Sequence, residues 1–332
     1  MDAIDHQHEP LPVVLVNAGP PRFMDHPIRL GRGLFADLDP TGLSPWESSR
    51  RLSLARCSAA VLRVPSARCL SHEAAALVHG LAVARAEPDI SLILPTWPSR
   101  SSVPLPTAPG GGPQVQLRRR TLRISAEDIT VVDGLPVTTV LRTAVDCAFD
   151  LPAQEAICVV DAALRRICQP DRRRPDEAAR LTQVLRHRLT TMIAACGRRR
   201  GARRARAVAS IASPLSESPG ESVLRCFVAA LGLPTPQLQH GIVLEEGRTV
   251  FPDLAWPEVL VSLEFDGRLK YTSPEALWRE KQRRDALNRL GWRCEHVTWG
   301  DLQDLGSLRS RIFRLFPPQV LRAAHPEPLL WS

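Results

Sequence analysis

The chain has 332 residues, 44% of them hydrophobic and 23% charged, which is ordinary for a soluble globular protein with room for two domains. No apolar run approaches the roughly 18 residues of a membrane span, and the acidic start lacks the apolar core of a signal peptide, so we expect a cytoplasmic protein with no membrane partner. The net charge of +8 favours an anionic partner, nucleic acid first, although an arginine-rich composition can also drift basic without one.

The first half of the sequence predicts an α+β domain over residues 28–168, preceded by a Pro-rich segment, residues 1–27, that we expect to be loosely ordered. Apolar periodicity, glycines and the capping residue Ser71 define the expected elements. Strands are predicted at 28–35, 90–95, 115–124 and 129–140, helices at 45–64, 72–79, 139–149 and 153–168, and a Pro/Gly/Ser-rich loop at 96–113.

Residues 169–215 are basic and predict helices, and we interpret them as a linker between two domains. The arginines of this stretch are candidates for binding nucleic-acid phosphates, and the alternative is a solvated linker helix. These arginines are Arg198, Arg199, Arg200, Arg203 and Arg204.

The C-terminal domain is predicted at residues 216–316 and is followed by a tail, residues 317–332. Its order of elements is helix, three strands, helix, strand and helix, which indicates an α/β fold. The eight cysteines have no Cys-x-x-Cys spacing, so we expect buried free thiols rather than a zinc site.

Three carboxylates stand out in the strand pair of residues 251–267: Asp253, Glu264 and Asp266. Side chains two apart on a strand point to the same face, so Glu264 and Asp266 project together, and a hairpin can bring Asp253 beside them. Because like charges raise each other's pKa, a hard divalent cation is a natural partner for such a group. A turn cap for Asp253 and a solvated strand face for the other two are the alternatives.

Only two of the 43 basic residues are lysines, Lys270 and Lys281, and both follow the acidic strand. Burial can lower the pKa of a lysine, which arginine cannot easily match, so the retention of these two lysines suggests a specific role. Lys281 and Arg284 lie with Asp285 at helical spacing further on. They are candidates for binding phosphate or bracing the site, or form an exposed helix face.

Residues 216–305 resemble the PD-(D/E)XK nuclease superfamily, and in particular its branch related to very-short-patch-repair endonucleases, also called domain of unknown function 559. The likeness rests on Glu221, the PD dipeptide at 252–253, LEFDG at 263–267 and RRDALNRLGWR at 283–293. The resemblance implies a restriction-endonuclease-like three-layer α/β/α core around a central mixed sheet.

The resemblance also implies metal-dependent hydrolysis of DNA phosphodiester bonds, in repair or defence. Asp253 and Glu264 would hold Mg²⁺ or Mn²⁺, and Glu221 would support the site directly or through water, unless it only favours its helix N-terminus. Asp266 stands where the superfamily motif commonly has lysine. Lys270 is then the candidate for the displaced lysine, with the role of orienting water or neutralising the transition state.

Residues 28–168 resemble the N-terminal region of long proteins that carry such a nuclease-like domain. The matching pieces are RLGRGLF at 29–35, LSHEAAALVHGL at 70–81, GLPVTTVLRTAVDCA at 134–148 and VVDAALRR at 159–166. Many of these proteins begin with an AbiEi-type antitoxin winged helix, which implies a protein partner in a toxin–antitoxin or defence system. The Pro-rich residues before RLGRGLF predict no recognition helix.

The sequence leaves three functions open: a Mg²⁺-dependent DNA endonuclease, a nucleic-acid-binding or antitoxin-like regulator without catalysis, and a protein-interaction module. The trio Glu221, Asp253 and Glu264 favours the first function. Asp266 at the usual lysine position favours the second.

Overall fold

The computed structural model describes residues 14–17, 19–108, 110–171, 175–267 and 274–331. The chain is a mixed α/β structure, 44% helical and 18% strand, which confirms the predicted fold class. It divides into two compact units, one ending at Asp150 and the other beginning at Leu151. No helix in the described part of the chain is long and apolar enough to cross a membrane.

The first unit contains two sheets and three helices among its described residues. A three-stranded sheet has the order β1-β3-β2 and a six-stranded sheet has the order β6-β7-β5-β4-β9-β8. The strands are β1 Val14–Val16, β2 Pro27–Gly31, β3 Leu34–Asp37, β4 Cys69–Ser71, β5 Ile90–Ile93, β6 Ser102–Pro104, β7 Gln116–Arg120, β8 Ile129–Val132 and β9 Leu135–Thr138. The helices are α1 Pro45–Arg63, α2 His72–Val78 and α3 Val140–Asp150.

Two of these strands correct the sequence interpretation. β1 lies in the segment expected to be loosely ordered, and β6 lies in the expected loop at 96–113. Both strands are only three residues long and pair antiparallel with longer strands, β1 with β3 and β6 with β7. Their pairing depends on distant partners, so local composition did not predict it.

Helix α1 begins where its sequence predicts. The Ser44 hydroxyl accepts a hydrogen bond from the Glu47 amide at 3.3 Å, and the Glu47 carboxylate accepts one from the Ser44 amide at 2.7 Å. This reciprocal cap satisfies two amides that the helix cannot pair internally. The buried face of the helix packs Leu52, Ala55 and Ala59 against the three-stranded sheet.

The second unit begins with a layer of helices: α4 Ala153–Cys168, α5 Pro175–Ala195, α6 Ala202–Ile211 and α7 Pro219–Ala230. Helix α4 packs on α7, so it belongs to this unit and not to the N-terminal domain to which the sequence interpretation assigned it. Within residues 169–215, helices α5 and α6 likewise pack against α4 rather than forming a solvated linker. Their buried apolar residues include Leu185, Leu189, Ile193, Ala205 and Val208.

A buried ionic cluster joins three parts of this layer. The Asp161 carboxylate of α4 accepts hydrogen bonds from the Ser222 hydroxyl at 2.7 Å and from the Ser213 amide at 2.8 Å, and it forms an ion pair with Arg225 of α7. Asp161 is 1% exposed and Arg225 is 4% exposed. The two charges compensate each other inside the protein, so the pair ties α4 and the loop before α7 to α7 itself.

The rest of the second unit is built on a four-stranded mixed sheet of order β10-β13-β14-β15. Strands β13 and β14 are antiparallel, whereas β14 and β15 are parallel. Its strands are β10 Gln237–Leu238, β13 Leu254–Trp256, β14 Val261–Phe265 and β15 Arg293–Val297, beside a separate hairpin of β11 Ile242–Val243 and β12 Thr249–Val250. The later helices are α8 Pro274–Arg289, α9 Leu305–Leu315 and α10 Pro318–Arg322.

Strand alternation places the apolar side chains of β14 on one face of the sheet. Val261, Leu263 and Phe265 face the cluster that contains the apolar residues of α7 and α9. Helix α8 packs on the other face, where Ala286 and Leu287 meet Ala255 of β13. The sheet therefore lies between two helical layers, the three-layer arrangement that the resemblance implies.

The predicted tail packs on the same core. The Cys226 thiol of α7 donates to the Leu330 carbonyl at 3.1 Å, and the rings of Phe227 and Trp331 meet edge to face with centroids 5.0 Å apart. All eight cysteines are free, six of them buried, as the sequence predicts.

Candidate functional site

Two of the predicted acids meet at one end of strand β14. Leu254 pairs with Leu263 in the antiparallel ladder, so Asp253 and Glu264, one residue further along, lie at the same edge of the sheet. The Asp253 carboxylate accepts a hydrogen bond from the Phe265 amide at 2.7 Å. The structure thus brings these two acids together, and their role as metal ligands stays a prediction.

Glu264 is the acid with the most unusual surroundings. Its side chain lies under α8 and the residue is 9% exposed. One carboxylate oxygen, Oε2, forms an ion pair with Arg283. The other oxygen, Oε1, is buried and has no hydrogen-bond partner within the described part of the chain. An unsatisfied buried carboxylate oxygen is costly, so its presence needs an explanation.

Sequence reasoning missed Arg283 and chose its exposed neighbours instead. Lys281, Arg284 and Asp285 lie on the solvent side of α8, as the alternative interpretation of an exposed helix face predicted. The signal that could have identified Arg283 was its spacing from the apolar residues Ala286 and Leu287, which are buried. Residues three and four apart share a helix face, so Arg283 lies on the buried face of α8.

Asp266, the third of the predicted acids, pairs with a histidine that the sequence interpretation did not select. The Nδ1 atom of His296 lies 2.8 Å from the Asp266 carboxylate. His296 is on β15 directly opposite Glu264 in the parallel register, so its side chain is on the same face as Glu264. Alternation along RCEHV at 293–297 was the available signal, since it places His296 beside the acids of the neighbouring strand.

Glu221 does not join these acids in a set of three. Its carboxylate accepts hydrogen bonds from the Glu217 amide at 2.7 Å and the Ser218 hydroxyl at 2.8 Å, which close the start of α7. Among the described residues, no group of three or more His, Cys, Asp and Glu side chains is arranged to hold a metal ion. These contacts agree with the alternative that Glu221 stabilises its own helix start.

The described acids nevertheless fit one kind of divalent cation site. Mg²⁺ is commonly bound by one or two carboxylates and completes its octahedral shell with water and substrate phosphate oxygens. Asp253 and Glu264 supply two carboxylates at one edge, and Glu264 Oε1 is an oxygen in need of a partner. Lys270, the predicted catalytic lysine, lies outside the described residues.

The five arginines predicted to bind phosphates, which we call the α5–α6 strip, lie at the turn between α5 and α6 and on α6. Arg198, Arg200 and Arg203 are exposed, whereas Arg199 and Arg204 are partly buried. Arg188 of α5 and Arg206 of α6 are exposed as well. The five exposed arginines form no ion pair with any residue in the described ranges. Such a surface attracts polyanions because its charge is not neutralised locally.

Two proteins of Mycobacterium tuberculosis are similar to this chain: the uncharacterized protein MT2308 of strain CDC 1551 / Oshkosh and the uncharacterized protein Rv2248 of strain ATCC 25618 / H37Rv. Each is 29% identical over 184 residues, which cover 55% of this chain and 62% of the relative. The match thus spans less than two thirds of the relatives' own length. No protein-family model matches the chain, and no solved structure matches it significantly.

Proposed function

We propose that this protein is a metal-dependent endonuclease that hydrolyses phosphodiester bonds of DNA, with Mg²⁺ or Mn²⁺ held by Asp253 and Glu264. The observation that carries the proposal is the buried, unpartnered oxygen Oε1 of Glu264 beside Asp253. Leaving such an oxygen unsatisfied costs about 1–3 kcal/mol or more, and a cation bound with the substrate removes that cost. A DNA substrate also accords with the cytoplasmic location that the sequence predicts.

Each side chain at this edge has a role in the proposal. A divalent cation held by Asp253 and Glu264 would polarise the scissile phosphate and lower the pKa of an attacking water. Asp266 orients the His296 ring through Nδ1, so that His296 takes up the proton of the water at Nε2 as a general base. Arg283 holds Glu264 in place, and Glu221 stabilises the adjacent helix start.

The basic residues bind the DNA backbone in this proposal. The exposed arginines of the α5–α6 strip, together with Lys281 and Arg284 on α8, contact phosphates without reading sequence. Their contribution predicts that affinity for DNA falls steeply as salt concentration rises.

The test is cleavage of plasmid DNA by the purified chain with Mg²⁺ or Mn²⁺. Asp253→Asn and Glu264→Gln should each lower the rate by about 100-fold or more, because the cation supplies several kcal/mol of transition-state stabilisation. Glu258→Gln is the matched control, since Glu258 is an exposed acid in the connection between β13 and β14. Equal cleavage by wild type and both acid variants would refute the assignment.

A second candidate function is a nucleic-acid-binding or antitoxin-like regulator without catalysis, acting with a protein partner in a toxin–antitoxin or defence system. The ion pair between Arg283 and Glu264 favours it, because an arginine already neutralises the acid. Salt-dependent binding of DNA without cleavage under any metal would support this function over the endonuclease.

A further inference from the structure

The first unit carries an exposed tryptophan to which the proposed function assigns no role. Trp97 lies in the loop between β5 and β6, and it is 84% exposed, more than any other large apolar residue in the described part of the chain. Tryptophan is highly buried on average, so exposure of this degree is unusual. A single exposed apolar residue is not a site by itself, and its surroundings decide whether it has a function.

The end of strand β7 lies directly beside this loop. The Arg119 amide donates a hydrogen bond to the Ser101 carbonyl at 2.8 Å, and the Thr121 hydroxyl donates one to the Thr96 carbonyl at 3.3 Å. Thr96 is the residue before Trp97, so residues 119–121 contact the loop near both of its ends. These contacts hold the loop of Trp97 against the six-stranded sheet.

Four arginines lie around the loop in the folded chain. Arg100 belongs to the loop, Arg119 is hydrogen-bonded to it, and Arg123 lies on the chain that leaves β7. Arg68 reaches the same segment, because its guanidinium donates to the Ile124 carbonyl at 3.0 Å. None of the four arginines forms an ion pair with a described residue, and the Nε atom of Arg119 is buried without a hydrogen-bond partner among these residues. We call Trp97 and these four arginines the Trp97 surface.

Acids of the neighbouring elements do not neutralise the Trp97 surface. Three of them already pair with other arginines: Asp89 with Arg118 at 2.7 Å, Asp128 with Arg142 at 2.9 Å and Asp150 with Arg120 at 3.0 Å. Glu127 is an exposed acid of the same part of the chain, so the four arginines still leave a net positive charge. A surface with this balance of charge attracts a polyanion.

The residues next to Trp97 favour nucleic acid over protein as the polyanion. Protein interfaces have an apolar centre, whereas Trp97 is the one large apolar residue that is exposed among the described residues of 94–124. Its loop instead exposes Thr96, Ser99 and Ser101. Hydroxyl groups and arginine side chains are common ligands of nucleic-acid phosphates. The composition therefore suits a phosphate backbone that passes beside a single aromatic ring.

An exposed aromatic ring also distinguishes a single strand from a duplex. Bases in a duplex stack on one another, so their faces are hidden, whereas an unpaired strand offers the face of each base to an aromatic side chain. Such stacking depends little on which base is present. We therefore expect the Trp97 ring to contribute to the binding of single strands and to contribute little to the binding of duplexes.

We propose that the Trp97 surface binds a single-stranded nucleic acid, with one base stacked on the Trp97 ring and the neighbouring phosphates held by the four arginines. The inference goes beyond the proposed nuclease function and does not rest on it. It concerns a ligand of the first unit and not the substrate that is cleaved at Asp253 and Glu264.

The experiment measures the affinity of the full chain for fluorescent oligonucleotides of about 12 nucleotides, by anisotropy in EDTA, so that no divalent cation takes part. The probes are a thymidine strand, a uridine strand and a DNA duplex of the same length. Trp97→Leu should weaken binding of the single strands by about 10-fold, because stacking on the indole is lost, and should change binding of the duplex by less than about twofold. The single strand that binds more tightly identifies the preferred sugar.

The arginines are tested by the salt dependence of the same binding. Arg100→Gln and Arg123→Gln should each weaken binding of the single strands and lower the slope of log affinity against log salt concentration by about 0.7, because one phosphate contact is lost. The matched controls are Trp46→Leu, at an exposed tryptophan of α1, and Arg32→Gln, at an exposed arginine between β2 and β3. Both controls should leave the affinities and the slopes unchanged.

Crosslinking locates the bound strand, because the arginines of the α5–α6 strip are also proposed to bind nucleic acid. A thymidine strand that carries one 5-iodouracil should crosslink to Trp97 under ultraviolet light, as identified by mass spectrometry of the peptides. Crosslinks to the second unit alone would overturn the inference.

The inference is also overturned if Trp97→Leu and Trp46→Leu bind the single strands equally well. Competition by polyglutamate as strong as competition by the thymidine strand would overturn it too, since the surface then recognises negative charge alone. So would binding of phosphatidylserine vesicles that depends on Trp97 while oligonucleotide binding does not. Cleavage of DNA without binding that depends on Trp97 refutes only this inference. Binding that depends on Trp97, without cleavage under Mg²⁺ or Mn²⁺, supports this inference and refutes only the endonuclease.

Discussion

Replacing Asp161 by alanine should destabilise the second unit more than any surface substitution, because it leaves a buried charge without its partner. Arg225 is 4% exposed and would lose the only carboxylate shown to pair with it in the described ranges. The hydroxyl of Ser222 and the amide of Ser213 would lose their acceptor as well. Breaking a buried ion pair in this way costs about 3–5 kcal/mol, a large part of the roughly 5–15 kcal/mol that stabilises a typical domain.

The assay is urea unfolding followed by circular dichroism, compared with a matched acid-to-alanine control. Glu245 pairs with Arg289 at 3.4 Å, but both side chains are more than half exposed, so Glu245→Ala should cost less than about 1 kcal/mol. The double variant Asp161→Leu, Arg225→Leu should cost less than the sum of the two single variants, because it removes both buried charges. An Asp161→Ala variant as stable as Glu245→Ala would refute the reasoning.

The same pair predicts a dependence on pH. Burial raises the pKa of the Asp161 carboxyl, and the Arg225 guanidinium acts in the opposite direction. Removing Arg225 therefore raises this pKa further. A carboxyl whose pKa is raised on folding favours the folded state below its unfolded pKa, and that contribution is lost as pH rises through the folded pKa. The stability deficit of Arg225→Leu should thus be larger at neutral pH than near about pH 4.

Two further predictions concern one close contact and one histidine. Gly220→Ala should destabilise the second unit by about 1–3 kcal/mol, despite the better helix propensity of alanine, because its Cβ would clash with the Phe265 ring. Urea unfolding should show that Phe265→Leu partly restores the stability, and an alanine variant as stable as wild type would contradict the contact. Burial lowers the pKa of His72 below its ordinary value of about 6.5, so the unfolded chain binds a proton that the folded first unit does not. The free energy of unfolding should fall as pH drops below that value, by up to about 1.4 kcal/mol per pH unit, and His72→Asn should make this dependence on pH weaker. The measurement is thermal unfolding at several pH values. An equal dependence on pH in wild type and His72→Asn would contradict the prediction.

Local pattern was sufficient to predict most elements of this protein. Apolar periodicity located α1, and alternation along Val261–Phe265 placed Glu264 on the face opposite Leu263. The pairing of Asp253 with Glu264 also followed from the sequence, because a hairpin register depends on residues close together in the chain.

Only the tertiary structure decided which elements belong together. Helix α4 has the same apolar periodicity whichever domain it joins, and its packing on α7 is determined by Asp161 and Arg225, 64 residues apart. The partners of the acids were decided in the same way. Arg283 reaches Glu264 from α8, and His296 reaches Asp266 from β15, so both contacts depend on how distant segments pack around β14. Periodicity shows which side of an element is buried, whereas packing selects the residue it meets.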